Sequence, residues 1–153
     1  PTCPRGRSRP MQHFISGDGR HLVVRLDDGA LLLESLQRLA QERELDSAAI
    51  VCGFGALKRT HIHVGEWEHT PPRNRYVVYE GPAELCGLHG LIAAGQVHAH
   101  ITASNGEWTI GGHLEPETIV LYLCEIVIEV IEGLPLRREM TADGLPLLQR
   151  REL

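Results

Sequence analysis

A chain of 153 residues and 17.0 kDa with 42% hydrophobic content is the size of one domain and carries enough apolar surface for its own core. A charged fraction of 23%, sixteen glycines and nine prolines exclude a fibre or a long disordered chain, and 5% aromatic content limits the surfaces on which bases stack. The formal charge is -5, but Arg5, Arg7 and Arg9 stand without an acid in PTCPRGRSRP; fifteen basic residues less these three leave twelve against twenty acidic ones, a body of -8 that phosphate backbones repel.

After this basic start, RHLVVRL (20–26) has the β-branched character of a short strand and DDG turns the chain. ALLLESLQRLAQER then places Leu32, Leu33, Leu36, Leu39 and Ala40 on one stripe, which predicts a helix over about 30–43. The period changes beyond it. AAIVCG, THIHVGEW, RYVVYEG, AELCGLHGLIA, VHAHITAS, EWTIGGHL and TIVLYLCEIVIEVI are strand-like runs separated by glycine, proline or Asn-Gly. One helix followed by many strands, without regular alternation, predicts a single α+β domain with a mostly antiparallel sheet of six to eight strands. GLPLRREMTADGLPLLQRREL (133–153) reads as loop, short strand and tail, giving an arm and lead-in at 1–19, a domain at 20–148 and a tail at 149–153.

Cys3, Cys52, Cys86 and Cys124 lie far apart and form no C-x-x-C, and three of them sit in apolar runs. They read as reduced, buried small hydrophobes of a cytoplasmic protein. The longest apolar run is cut by Glu125 and Glu129, so neither a membrane span nor a leader peptide is expected.

Three of the nine histidines fall in VHAHITASNGEWTIGGHL (97–114). Asn-Gly is the strongest two-residue hairpin signal, because both positions of a type I′ turn need positive φ. With Asn105 and Gly106 as the loop, Ser104 would pair with Glu107, Thr102 with Thr109, His100 with Gly111 and His98 with His113. Alternation then puts His98, His100 and His113 on one face, with Val97, Ile101, Trp108, Ile110 and Leu114 on the other. Opposed residues lie roughly 5 Å apart at Cβ, close enough for three imidazoles to meet on one ion. Three histidines without a fourth protein ligand suit Zn²⁺ or another divalent first-row ion with a coordination position open to water or substrate. The competing reading is a solvated polar face, and a bulge at Gly111-Gly112 would turn His113 away.

From GQVHAHITASNGEWTIGGHL through the glutamate-bearing strand after it, with GFGALK and YEGPAELCGLHGLIA upstream and PLRREMTADGLPLL downstream, the sequence resembles the prokaryotic branch of the plant-and-prokaryote-conserved (PPC) domain. The resemblance covers most of residues 20–148. It implies an α+β domain with one principal antiparallel sheet, assembled as a homotrimer, in a fold group that includes acetolactate decarboxylase. That enzyme is similar in holding zinc with a His-x-His pair and a third histidine downstream, which carries His98, His100 and His113 over as ligands. Its catalytic arginine and glutamates match no positions here, so its activity does not transfer. Cys86 and His89 stand where the family has serines.

Glu125 matches the family's glutamate, and a strand there is expected to bury its carboxylate between Leu123 and Val127. Three roles are open to it: orienting a ligand histidine, acting as a general acid or base, or forming a structural ion pair with an arginine. His61 and His63 form a second same-face pair in RTHIHVGEW, read as structural because no turn places a third ligand beside them. PRGRSRP is similar to the AT-hook that precedes this domain in plant proteins, with Ser8 where the core proline belongs; a flexible basic tail is the competing reading.

Two functions are therefore expected. The first is a metal-binding protein, a candidate zinc-dependent lyase or hydrolase, whose ion meets a small oxygenated ligand. The alternative is a regulator that binds A·T-rich DNA through Arg5, Arg7 and Arg9.

Overall fold

The structure is a computed structural model that describes residues 11–152. Nine strands and one helix follow in the order β1 (Met11–Ile15), β2 (His21–Asp27), α1 (Leu32–Glu42), β3 (Ser47–Gly65), β4 (Asn74–Ala93), β5 (Gln96–Ser104), β6 (Thr109–Leu114), β7 (Ile119–Val130), β8 (Leu136–Met140) and β9 (Pro146–Arg150). The expected α+β class and antiparallel pairing are what the structure has: seven strands form one sheet in the order β1-β2-β7-β3-β4-β5-β6, and β8 and β9 form a separate hairpin. β9 runs to Arg150, two residues into the predicted tail.

What shapes the sheet is the length of β3 and β4, 19 and 20 residues. Strands this long curl with the sheet's twist, and register shifts between Leu57 and Arg59 add to the bend. The first half of β3 pairs with β7, while its far end meets β6 at Ile62↔Leu114 and His63↔His113. The pairings β3–β4, β4–β5, β5–β6 and β6–β3 thereby close on themselves.

Leu57, Ile62, Leu85, Leu88, Ile92, Ile101, Leu114 and Ile126 are fully buried in one core with Leu32, Leu36 and Leu39 of α1. Burying each such side chain contributes about 1.5–3 kcal/mol. In α1, Ser35 takes the buried place expected for Leu33, which is only partly covered. Gln37 ties the helix down: its Nε2 donates to Gly95 O at 2.6 Å, and its Oε1 accepts from Val97 N at 3.0 Å. The helix therefore braces the start of β5, two residues from the His-x-His pair.

The cysteine expectation holds for Cys124, which is buried, its thiol pushed up to about 12 by desolvation first and Glu125 second. Cys52 and Cys86 are exposed instead. AIVCG is apolar on both parities, whereas in AELCG Cys86 shares the parity of the exposed Glu84, and the strands turn both cysteines outward. Cys52 belongs to an exposed row, Phe14↔Val23↔Val127↔Cys52, crossing β1, β2, β7 and β3, in which Phe14 is 58% and Val23 45% exposed. Among the described residues no helix is long and apolar enough to cross a membrane.

Candidate metal centre

The turn at Asn105-Gly106 is wider than its sequence predicts. Gly106 has φ +89°, but Asn105 is outside the positive-φ region, so the type I′ turn does not form. The Asn105 side chain caps the loop instead, its Oδ1 accepting from Glu107 N at 3.0 Å and Trp108 N at 3.1 Å, while Asn105 N donates to Trp108 O at 3.2 Å. Four residues make the loop, and the register moves by two: Ser104 pairs with Thr109, Thr102 with Gly111, and His100, not His98, with His113. A shift of two preserves the faces. Ala99, Ile101 and Ala103 enter the core, and His98 and His100 stay on the other side of β5.

The cross-strand register extends this pair into a ladder. His89 of β4 opposes His100, His100 opposes His113, and His113 opposes His63. The His63 and His113 rings stack at 4.4 Å. His98 lies beside the ladder, its ring 4.9 Å from His113 and 5.3 Å from His100, with His100 and His113 5.4 Å apart. Imidazoles sharing one tetrahedral ion have ring centres about 5 Å apart, given a metal–nitrogen bond of about 2 Å. The rings of the three expected ligands have that spacing, but the group whose ligand atoms lie within 4.8 Å of one another is His63, His113 and Glu115, so His98 and His100 approach as rings without their ligand atoms converging.

A carboxylate completes the cluster, and it belongs to Glu115. Its Oε1 lies 2.5 Å from His63 Nδ1 and 3.1 Å from His113 Nδ1, and these three residues have ligand atoms within 4.8 Å of one another. An ionised carboxylate only accepts, so in both contacts the Nδ1–H is the donor. Such a partner fixes the tautomer and aim of a ligand histidine. The ring stack and the carboxylate make His63 part of the cluster. His61, by contrast, is engaged through Nδ1 with Pro116 O at 2.8 Å, as the structural reading of that pair expects.

Burial holds His98, His100 and His113 below the ordinary imidazole value of 6.5. For His98 desolvation comes first, followed by the charges of Arg138 and the neighbouring histidines, and brings it to about 4. His100 and His113 are lowered by the same leading cause, with Glu115 pulling His113 partly back. All three imidazoles are neutral at pH 7, the state a metal ligand requires.

The cluster opens onto a cleft of about 730 Å³ whose far wall is the β8–β9 hairpin, with Arg138, Met140 and Pro146 facing His63, His98, His100 and His113. Glu125 is elsewhere. It is exposed at the middle of β7, in register with Arg25 and Phe54, so the carboxylate expected to be buried is in solvent. The inward residues there are Cys124, Ile126 and Ile128. Arg5, Arg7 and Arg9 lie outside the described residues.

Among the described residues, an antiparallel sheet with closing strands and one brace helix makes this an α+β domain. Residues 14–132 match the Plants and Prokaryotes Conserved (PCC) domain, and the chain is a member of that family. Among solved structures it is similar to a candidate DNA-binding protein from Bacteroides thetaiotaomicron, at 20% identity and TM-score 0.79 over 94% of this chain and 98% of that one. It is also similar to a metal-containing protein from Archaeoglobus fulgidus, at 19% identity and TM-score 0.71 over 94% and 99%. Likeness at this level shows the shared fold. A curated relative, the bifunctional protein GlmU of a Synechococcus strain, is 26% identical over 128 residues; the match takes in 83% of this chain and spans only 19% of that protein's length.

Proposed function

We propose that this PCC-domain protein binds one divalent metal ion, zinc being the best match to the donor set, through His98, His100 and His113. His63 is the adjoining imidazole, and Glu115 orients the ring nitrogens. The observation that carries this reading is the meeting of imidazoles from β3, β5 and β6 with a carboxylate on two Nδ1 atoms, at the floor of an open cleft. When bound there, the ion would supply Lewis acidity to a small oxygenated ligand, the chemistry of a zinc-dependent lyase or hydrolase. The residues themselves hold and orient, and the hairpin wall limits the solvent around the site. Elemental analysis of protein purified without chelators is expected to give about one metal per chain, and none in the His98→Ala/His100→Ala double variant. Full retention in that variant refutes the assignment. The exposed row from Phe14 to Cys52 supports the homotrimer the resemblance implies, which a light-scattering mass checks.

A second reading, binding of A·T-rich DNA, is supported by the description of the Bacteroides structure and by the arginines at 5, 7 and 9. The acidic body leaves that arm as the basic element available for phosphate. Binding of an A·T-rich duplex at low salt, lost when residues 1–10 are deleted, is its expected signature; equal binding without the arm excludes it.

A further inference from the structure

Glu115 carries a charge that its neighbours leave largely unanswered. Its side chain is only 16% exposed, yet its partners are two imidazoles, His63 at 2.5 Å and His113 at 3.1 Å, and no lysine or arginine among the described residues pairs with it. A carboxylate drawn out of water without a full countercharge is costly. Both contacts are made by Nδ1, and the ligand atoms of the three residues lie within 4.8 Å of one another. One strand pairing holds them together: β6 closes on β3 at His63↔His113, the two rings stack at 4.4 Å, and Glu115 N donates to His61 O at 3.0 Å. Two ring nitrogens and a carboxylate oxygen are a donor set for first-row divalent ions. Donors sharing such an ion stand about 3.3 Å apart, so a withdrawal of the Glu115 oxygen by about 1 Å opens the place.

We propose that His63, His113 and Glu115 form a second divalent-cation position, bound through His63 Nδ1, His113 Nδ1 and a Glu115 oxygen, with the His113 ring bridging it to the ion shared with His98 and His100. It rests on the function proposed above in one respect, that the first ion takes His113 Nε2. With bonds of about 2 Å at either nitrogen, the two ions stand about 6 Å apart. Until the second ion arrives, Glu115 accepts from both Nδ1–H groups, and the ion takes the place of those two protons. The His63 proton moves to its own Nε2. The His113 proton, with both ring nitrogens engaged, leaves to solvent. A dication then neutralises Glu115, which two N–H donors do only in part. Because it displaces two hydrogen bonds and a proton, this ion is the weaker of the two and enters only when metal is added. Both imidazoles line the cleft, which leaves the second ion a face open to water.

The test is titration of zinc into the full chain, counting bound zinc at saturation in the parent, His63→Ala, Glu115→Gln and the His98→Ala/His100→Ala variant, with thermal melts showing which of them are folded. Two equivalents are expected in the parent and one in each variant; Glu115→Gln, which keeps the side chain's shape, decides the matter where His63→Ala does not fold. Two equivalents retained in Glu115→Gln or in folded His63→Ala overturn the second position. So does a parent that binds one equivalent and loses it in the His98→Ala/His100→Ala variant, a result that leaves the three-histidine centre standing. A single equivalent that survives His98→Ala/His100→Ala but not Glu115→Gln upholds the trio of His63, His113 and Glu115 and refutes the three-histidine centre. Copper, which imidazole sites bind more tightly, reads the bridge. Two Cu²⁺ ions on one imidazolate couple antiferromagnetically, so the EPR signal of the metal-stripped parent should rise over the first equivalent and fall over the second. A signal that rises through both overturns the bridge.

Discussion

If the proposed centre holds a metal, substituting His113 by alanine is expected to abolish its binding, a larger loss than any other single histidine exchange should give. His113 is the hub of the cluster: its ring is 4.4 Å from His63, 4.9 Å from His98 and 5.4 Å from His100, and it takes one of the two contacts to Glu115. Any set of ligands drawn from these residues includes it or loses its centre. Glu115→Gln should leave the metal bound but weaken it by about 10–100-fold, because the amide no longer fixes the Nδ1 protons with a negative charge. Glu125→Gln should change nothing, its carboxylate being exposed on β7. Competition against a chromophoric chelator reads all three. Equimolar metal in His113→Ala would place the centre elsewhere in the molecule.

Gly112→Ala is expected to damage both the fold and the site, while its neighbour Gly111→Ala is tolerated. A Cβ at Gly112 would lie 2.6 Å from His63 O and 3.1 Å from Ile62 Cδ1 and Val64 Cγ1. The carbonyl is backbone, so β6 must move off β3. That separation undoes the pairing that sets His113 opposite His63. A cost of about 3 kcal/mol follows, with a melting temperature about 10 °C lower and a loss of metal affinity. At Gly111 the nearest atoms are Ile101 O at 3.3 Å and Thr102 Oγ1 at 3.5 Å, which small shifts accommodate; the change should stay within about 1 kcal/mol. Thermal melts of the pair decide it, and equal stability of the two variants would show that β3–β6 closure does not depend on the glycine.

The sharing of one face by His98, His100 and His113 was legible because it depends only on parity. The loop proved to be four residues rather than two, and an even error cannot change the side on which a residue falls. Parity also reaches Glu115, the next residue on His113's face beyond GGHL. It could not supply His63. Periodicity names a residue's face and is silent about which distant strand lies alongside, and the β3–β6 contact joins positions fifty residues apart. Glu125 failed for a different reason. In TIVLYLCEIVIEVI both parities are largely apolar, so the pattern does not say which one faces the core, and the outer parity turns out to belong to the exposed apolar side.

The ladder's two kinds of neighbour also order events in time. His98, His100 and His113 meet as soon as one local hairpin forms, whereas His63 arrives only when a long stretch of chain has been drawn together, a slower step with a larger entropy of closure. An ion present during synthesis would encounter the three-histidine hairpin first and the fourth imidazole last, so that final closure of the strands tightens a grip already begun.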